Sequence, residues 1–328
     1  MWFLRHIAAW CGPILLCISA AAGVNATPER PLPTITTARA AHDISLEEAA
    51  RGYPVRIRAV VTLYDPYVDP RHAALFVHDN TGSIFIGLPS QPILPLKSGT
   101  LVEVTGVSGS ADYAPVILQG SVKVIGDGHF PENAPRPTMA ELLAGSQDGQ
   151  WVEIEGIVHS VRLLPMNVTL DLATVGGPIT ATAPRDAALD YDSLIDAKVQ
   201  IRGNAVPVFN GYLQMVGARI LFPSHEVRVV QLAPPDPFST PVIPVARLLW
   251  FSPGVVLRHR AHIQGTVTLH WPGRMLCIQS YRGLCMQSPK LDNVEMGQEV
   301  DVIGFPASAT SNPLSKMPPF ASHREGRC

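Results

Sequence analysis

Short runs rich in apolar, aromatic and β-branched residues recur along this chain, with period-two alternation at the start of Val55–Leu63. They are separated by Gly-, Pro- and Asp-rich turns, a pattern of strands rather than helices. The clearest run is Ala74–Leu88: two stretches rich in aromatic and β-branched residues flank Asp79, Asn80, Thr81 and Gly82, which predicts a β-hairpin. The same shape returns at Leu276–Gln287, laid over Leu75–Ile86 without a gap, and more loosely at Val168–Ala181. Three hairpins predict three copies of one domain.

The surrounding runs repeat in the same order. Val55–Leu63 precedes the first hairpin, and Leu101–Val107 and Val116–Ile125 follow it, giving five strands. Trp151–Val158 restarts the pattern, with Val152 lying 97 residues beyond Val55, and Lys198–Gly203 and Leu213–Leu221 complete the second unit. In the third, His259–Thr268 and Glu299–Gly304 flank the hairpin, and no alternating run stands where a fifth strand belongs. Short helices are expected before the first strands: one capped by Asp43 or Ser45 and ended by Arg51-Gly52, one at Pro137–Leu143, and a helix-like Val245–Trp250.

The expectation is therefore an all-β chain of three tandem OB-like five-stranded barrels, each after a short helix or helix-like segment, the third incomplete. The boundaries are a signal peptide over 1–26, a linker over 27–42, domains over 43–127, 137–224 and 242–306, and a disordered or aberrant tail over 307–328. An immunoglobulin-like sandwich is disfavoured because it needs about seven strands per hundred residues.

Composition refines this. With 328 residues, 46% hydrophobic, the chain can bury several cores, and 31 prolines suit short strands. A net charge of -2, with no Lys or Arg in the first hairpin, argues against nucleic acid as partner. Arg5, the apolar run from Ile7 to Val24 and the small-x-small Val24-Asn25-Ala26 form an export signal, or else an uncleaved anchor. The rest of the chain is expected on the periplasmic or other extracytoplasmic side. A membrane partner would enter only through that anchor or a missing downstream helix. In such a compartment Cys277 and Cys285, flanking the third turn, could form a cross-strand disulfide; the simpler reading is two buried thiols.

Chemistry-bearing residues are sparse. His259, Arg260, His262 and His270 suggest a metal site, but His259 and His262 point to opposite faces of a strand. Asp65, Asp69 and Asp79 lack the oxygen spacing of a calcium loop. Val107-Ser-Gly-Ser-Ala111 lacks the pattern of a nucleophile elbow, and Glu153 and Glu155 read as one solvent face. No catalytic residue, metal or cofactor is expected. Phe76, Phe85, Tyr64 and Tyr67 could form a base-stacking platform, although Phe76 and Phe85 read more simply as half core. Tyr64-Asp-Pro-Tyr67 and His270-Trp-Pro-Gly273 occupy equivalent places after the first strand. Tyr64, Tyr67, His270 and Trp271 are accordingly the expected contacts for a small ligand or an extracytoplasmic protein, with plugging of the barrel ends as the alternative.

Ile44–Val55, Tyr64–Tyr67, Leu75–Asp79, Leu101–Val107, Asp148–Gly156, Ile201–Asn204 and Trp271–Ile278 together resemble the exported N-terminal region of acidobacterial-type sensor histidine kinases. The resemblance spans roughly Ile35 to Pro306. It implies a non-catalytic sensory region of a truncated or frameshifted signalling protein. No phosphoacceptor, ATP-binding or receiver motif is present, so kinase activity does not carry over. A secreted OB-fold protein binding an oligonucleotide or glycan is the alternative.

Overall fold

The computed structural model describes residues 31–70, 72–111, 114–212, 214–249, 259–288 and 294–306. The expected signal peptide and the 307–328 tail lie outside these residues. The described residues from Pro33 onward belong to one compact unit, in which no helix is long and apolar enough to cross a membrane.

Domain 1 opens with two short helices, α1 (Ala38–His42) and α2 (Leu46–Ala49). Five strands follow: β1 (Pro54–Asp65), β2 (His72–His78), β3 (Ser83–Pro89), β4 (Thr100–Ser110) and β5 (Pro115–Asp127). They close a barrel in the order β1-β2-β3-β5-β4, with the β3–β5 contact parallel, which is OB topology. Alternation drives closure: Val55, Ile57, Ala59 and Val61 point inward from β1 and meet Leu75, Val77, Ile84, Ile86, Val102 and Val104.

Helix α1 corrects the expectation of an extended linker over 27–42. Thr37 caps it, Ala38 and Ala41 are buried in the barrel core, and Ile35 bridges Val55. Its first backbone N–H is satisfied from far along the chain, Ala38 N donating to Asp79 Oδ2 at 2.8 Å. A five-residue helix reading Ala-Arg-Ala-Ala-His carries almost no amphipathic signal, so its tertiary cap could not be read locally.

Domain 2 repeats the plan with α3 (Met139–Leu143), β6 (Trp151–Leu163), β7 (Asn167–Thr174), β8 (Gly177–Pro184), β9 (Lys198–Phe209), β10 (Met215–Leu221) and β11 (Val227–Gln231). Strand β9 pairs with β6 on one side and with β10 and β11 in succession, while β8–β10 is parallel. Strands β10 and β11 thus share the work of β5, divided by the turn at Ser224–Glu226. Domain 3 has α4 (Val245–Leu249), β12 (Ala261–Trp271), β13 (Met275–Gln279), β14 (Gly283–Gln287) and β15 (Glu299–Gly304). Its sheet, among the described residues, is four-stranded in the order β14-β13-β12-β15.

The hairpin overlay needs one adjustment. Phe76 pairs with Phe85 and Cys277 with Cys285, but His78 pairs with Ser83 where Gln279 pairs with Gly283. The third turn is one residue shorter, so Gly283 stands over Ser83 rather than Gly82.

Candidate functional site

In all three domains a bulge in the first strand precedes the same outward-facing row, and the row's chemistry differs each time. In domain 1 it runs Leu63, Phe76, Phe85 and Val116 across β1, β2, β3 and β5. In domain 2 the equivalent row is Ser160, Asp171, Thr180 and Arg219 across β6, β7, β8 and β10. In domain 3 it is Leu269, Cys277 and Cys285. Residues on either side along each strand, such as Leu75, Leu170, Ile220 and Ile278, lie in the cores.

The first row is an interface. Leu63, Ala74 and Phe76 pack with Leu221 of domain 2, flanked by Val68, Phe85 and Val206. Phe76 is 4% exposed and meets Phe85 edge-on at 5.2 Å, so this pair holds two barrels together and offers no open stacking platform.

The second row is polar. Asp171 accepts hydrogen bonds from Ser160 Oγ at 2.6 Å, Thr180 Oγ1 at 3.2 Å and an Arg162 guanidinium nitrogen at 3.3 Å. Thr169 and Thr182 meet beside it at 3.4 Å. Arg219 stands next to Thr180, half-buried, with its Nε buried and without a hydrogen-bond partner. Burial pushes its guanidinium down from the ordinary arginine value, and no carboxylate offsets that cost. Two arginines against one aspartate leave this row with a cation to spare. Nothing local in the sequence singles out Arg219; the signal is that it stands where domain 1 has Val116.

The third row carries a Cys277–Cys285 disulfide, Cys285 on the exposed side. The simpler expectation of two thiols gives way to it because the residues are direct cross-strand partners.

The expected contact residues separate into two pairs. Tyr64 and His270 occupy equivalent positions and both fasten the loop before the fourth strand: Tyr64 Oη accepts from Leu94 N at 2.9 Å, and His270 Nδ1 lies 3.0 Å from the Val294 carbonyl. Tyr67 and Trp271 are 44% and 53% exposed, with the Arg274 guanidinium 4.5 Å from the Trp271 ring centre. The structure does not bring the four together as one site.

The remaining candidates have structural partners. His259 Nδ1 lies 3.0 Å from Asp196 Oδ1, and His262 spans the Thr240 carbonyl and Asp301 Oδ1 at 2.8 Å each. Asp65 holds Tyr67 N and the Asn167 amide, Asp69 holds His72 N, and Asp79 caps α1. Glu153 pairs with Arg136, Glu155 with Lys198. Among the described residues no three His, Cys, Asp or Glu side chains gather as metal ligands.

No protein-family model and no curated protein sequence matches the chain. Solved structures do. A murine DNA-binding protein bound with double-stranded DNA is similar over 55% of this chain and 99% of its own, at 11% identity and a TM-score of 0.28. The Ifi202 HINa domain in complex with 20-bp dsDNA is similar over 55% and 96%, at 6% identity and 0.29. A putative aspartyl-tRNA synthetase from Leishmania major Friedlin is similar over 33% of this chain and 23% of its own length, at 12% identity and 0.26. At these scores the likenesses concern fold alone. Against the expectation that nucleic acid is set aside as a partner stand three solved neighbours of this chain, whose own structures contain double-stranded DNA.

Proposed function

We propose that this chain is a non-catalytic tandem-OB binding protein that takes an oxyanion-bearing oligomer, an oligonucleotide or an acidic glycan, on the outward row of domain 2. The observation that carries this is Arg219, a half-buried guanidinium on a face of hydroxyls whose buried Nε has no hydrogen-bond partner among the described residues. A phosphate, sulfate or carboxylate is the group a guanidinium fork pairs with best. The strand 2–3 face is also where OB barrels present ligand surfaces.

The test is titration of the full chain with labelled oligothymidylate, with polygalacturonate and with neutral dextran. Saturable binding of one acidic polymer is expected, with a log–log salt slope of roughly -0.7 to -1.4, the value for one or two phosphate-type contacts. Oligothymidylate and polygalacturonate separate the two sources of the oxyanion. Equal binding of dextran, or none to either acidic polymer, overturns the proposal.

We place this binder outside the cytoplasm. The export-type N-terminus and the Cys277–Cys285 disulfide support that compartment. The resemblance to exported regions of sensor kinases supports a role as the input of a signalling chain. An alkaline phosphatase fusion, active only when exported, checks the location; an inactive, stable fusion contradicts it.

A further inference from the structure

The junction of domains 1 and 2 joins two unlike surfaces. Domain 1 supplies its outward row, and domain 2 supplies an edge built from Gly149, Asn204 and Leu221. Leu221 is 4% exposed among Leu63, Ala74 and Phe76. Gly149, at φ 68°, lies against the same ring, and a Cβ there would stand 3.8 Å from Phe76. Strand register gives each domain one row position, at the bulge of its first strand, and one edge position. The row positions are Thr62, His159 and Thr268. The edge positions are Val107, Asn204 and Phe305. Within the chain Thr62 meets Asn204 and His159 meets Phe305. Thr268 and Val107 remain.

Both leftover surfaces are apolar and open. On domain 1, Leu118 stands opposite Val107 as Leu221 stands opposite Asn204. Gly52, at φ 74°, takes the place of Gly149, and among the described residues a Cβ there would meet nothing within 4 Å. Leu118 is 40% exposed, Pro54 is exposed and Val107 is half-buried. On domain 3, Thr268 Oγ1 donates to the Cys277 carbonyl at 3.3 Å, as Thr62 Oγ1 does to the Phe76 carbonyl at 3.2 Å. Leu269 takes the place of Leu63, and the disulfide takes the place of Phe76 and Phe85. Leu63 is 2% exposed beneath domain 2, whereas Leu269 is 43% exposed.

We propose that the row of domain 3 receives the domain 1 edge of a second copy of this chain. Copies then join head to tail through a repeat of the contact that already joins domains 1 and 2. Leu118 of the incoming copy seats on Leu269 and the disulfide, as Leu221 seats on Leu63 and Phe76. Val107 faces Thr268, whose hydroxyl already donates to the Cys277 carbonyl, so an apolar residue in place of Asn204 strands no donor. The occupant is a copy because the chain itself carries the complement of its own open row. The two surfaces differ, so the contact is heterologous and extends into rings or filaments instead of closing as a two-fold dimer. This association is independent of the Arg219 row.

The experiment is sedimentation velocity of the full chain from about 1 μM to about 1 mM, the range of affinities expected of a small interface. The mean mass of the wild-type chain should rise with concentration and pass that of a dimer. Leu118→Glu blocks the edge and Leu269→Glu blocks the row, and each variant alone should associate at least about tenfold more weakly. An equimolar mixture of the two retains one intact row and one intact edge, so it should form a 1:1 dimer and nothing larger. Pro54→Glu and Trp271→Glu place the same two blocks at exposed positions, and melting temperatures confirm that each variant folds. A wild-type chain that stays monomeric overturns the proposal, as when residues 307–328 or another protein cover the row. So does assembly that survives in either single variant, or a mixture that stays monomeric.

Discussion

Thr62 of domain 1 donates its hydroxyl to Asn204 Oδ1 of domain 2 at 3.0 Å, across 142 residues of sequence, and both side chains are fully buried. Asn204 in turn donates to the Gly149 carbonyl at 2.9 Å. By strand register Thr62 corresponds to His159, and Asn204 to Phe305. Those two rings stack at 4.1 Å between domains 2 and 3. Both junctions therefore use the same two positions, once with a polar pair and once with an aromatic one. Asn204→Ala should cost about 1–3 kcal/mol, because the Gly149 carbonyl loses its buried donor, while the Thr62 hydroxyl keeps the Phe76 carbonyl at 3.2 Å. The urea midpoint measures it; an unchanged midpoint would show that the junction adds nothing to stability.

Asp196 gives a second prediction. It has φ 72° where domains 1 and 3 have Gly99 at 91° and Gly297 at 87°. Each of these residues donates its N–H at 2.8 Å to the first strand of its own barrel, at Val158, Val61 and Val267 respectively. Asp196 accepts this left-handed geometry and uses its carboxylate to hold His259 Nδ1 and Arg260 N at 3.0 and 3.2 Å. Asp196→Gly loses the tether but relaxes the backbone, whereas Asp196→Ala loses both. Alanine should therefore be worse than glycine by about 1 kcal/mol. Equal denaturation midpoints for the two variants would contradict the account.

The response to pH follows from one half-buried and one buried group, His78 and Asp65. Burial lowers the His78 imidazole from its ordinary 6.5, so the unfolded chain binds the proton more readily. The stability this contributes is fully present above pH 6.5 and is lost as pH falls towards the depressed folded value. His78→Gln should flatten the melting profile below that point. Asp65 has the opposite sign: burial raises its carboxyl from 3.8, so its contribution is present below 3.8 and lost as pH rises through the folded value. Asp65→Asn should remove that falling limb. Profiles unchanged by either substitution would discount the assignment.

The disulfide predicts a local response. Cys277 and Cys285 are eight residues apart, and closing so short a loop restricts the unfolded chain by about 2 kcal/mol. Reductant should lower hydrogen-exchange protection in β12–β15 and spare β1–β10. A uniform loss of protection would contradict this.

Much of the fold is legible in the sequence because period-two alternation and turn residues are local. The hairpins at 74–88 and 276–287 declare themselves. The capping of α1 by Asp79 was not legible, since it joins residues 41 apart. Nor were the sites. Tyr64 and His270 have the residue types of ligand contacts, and only their bonds to Leu94 and Val294 mark them as loop fastenings. Phe76 and Phe85 read as surface or core alike until Leu221 covers them. Arg219 acquires meaning from what its Nε lacks, a partner, and sequence alone does not reveal that.

If Arg219 is kept to bind an oxyanion, as proposed, it is held at a cost to stability. Arg219→Met removes an unpaired, half-buried cation and keeps its hydrocarbon. It should raise stability by about 1 kcal/mol, a shift of roughly 2–4 °C in melting temperature. The same variant, titrated with whichever acidic polymer the wild-type chain binds, should lose about tenfold or more in affinity. A gain in melting temperature together with that loss is the predicted result; affinity equal to wild type would contradict the assignment of this row as the binding site.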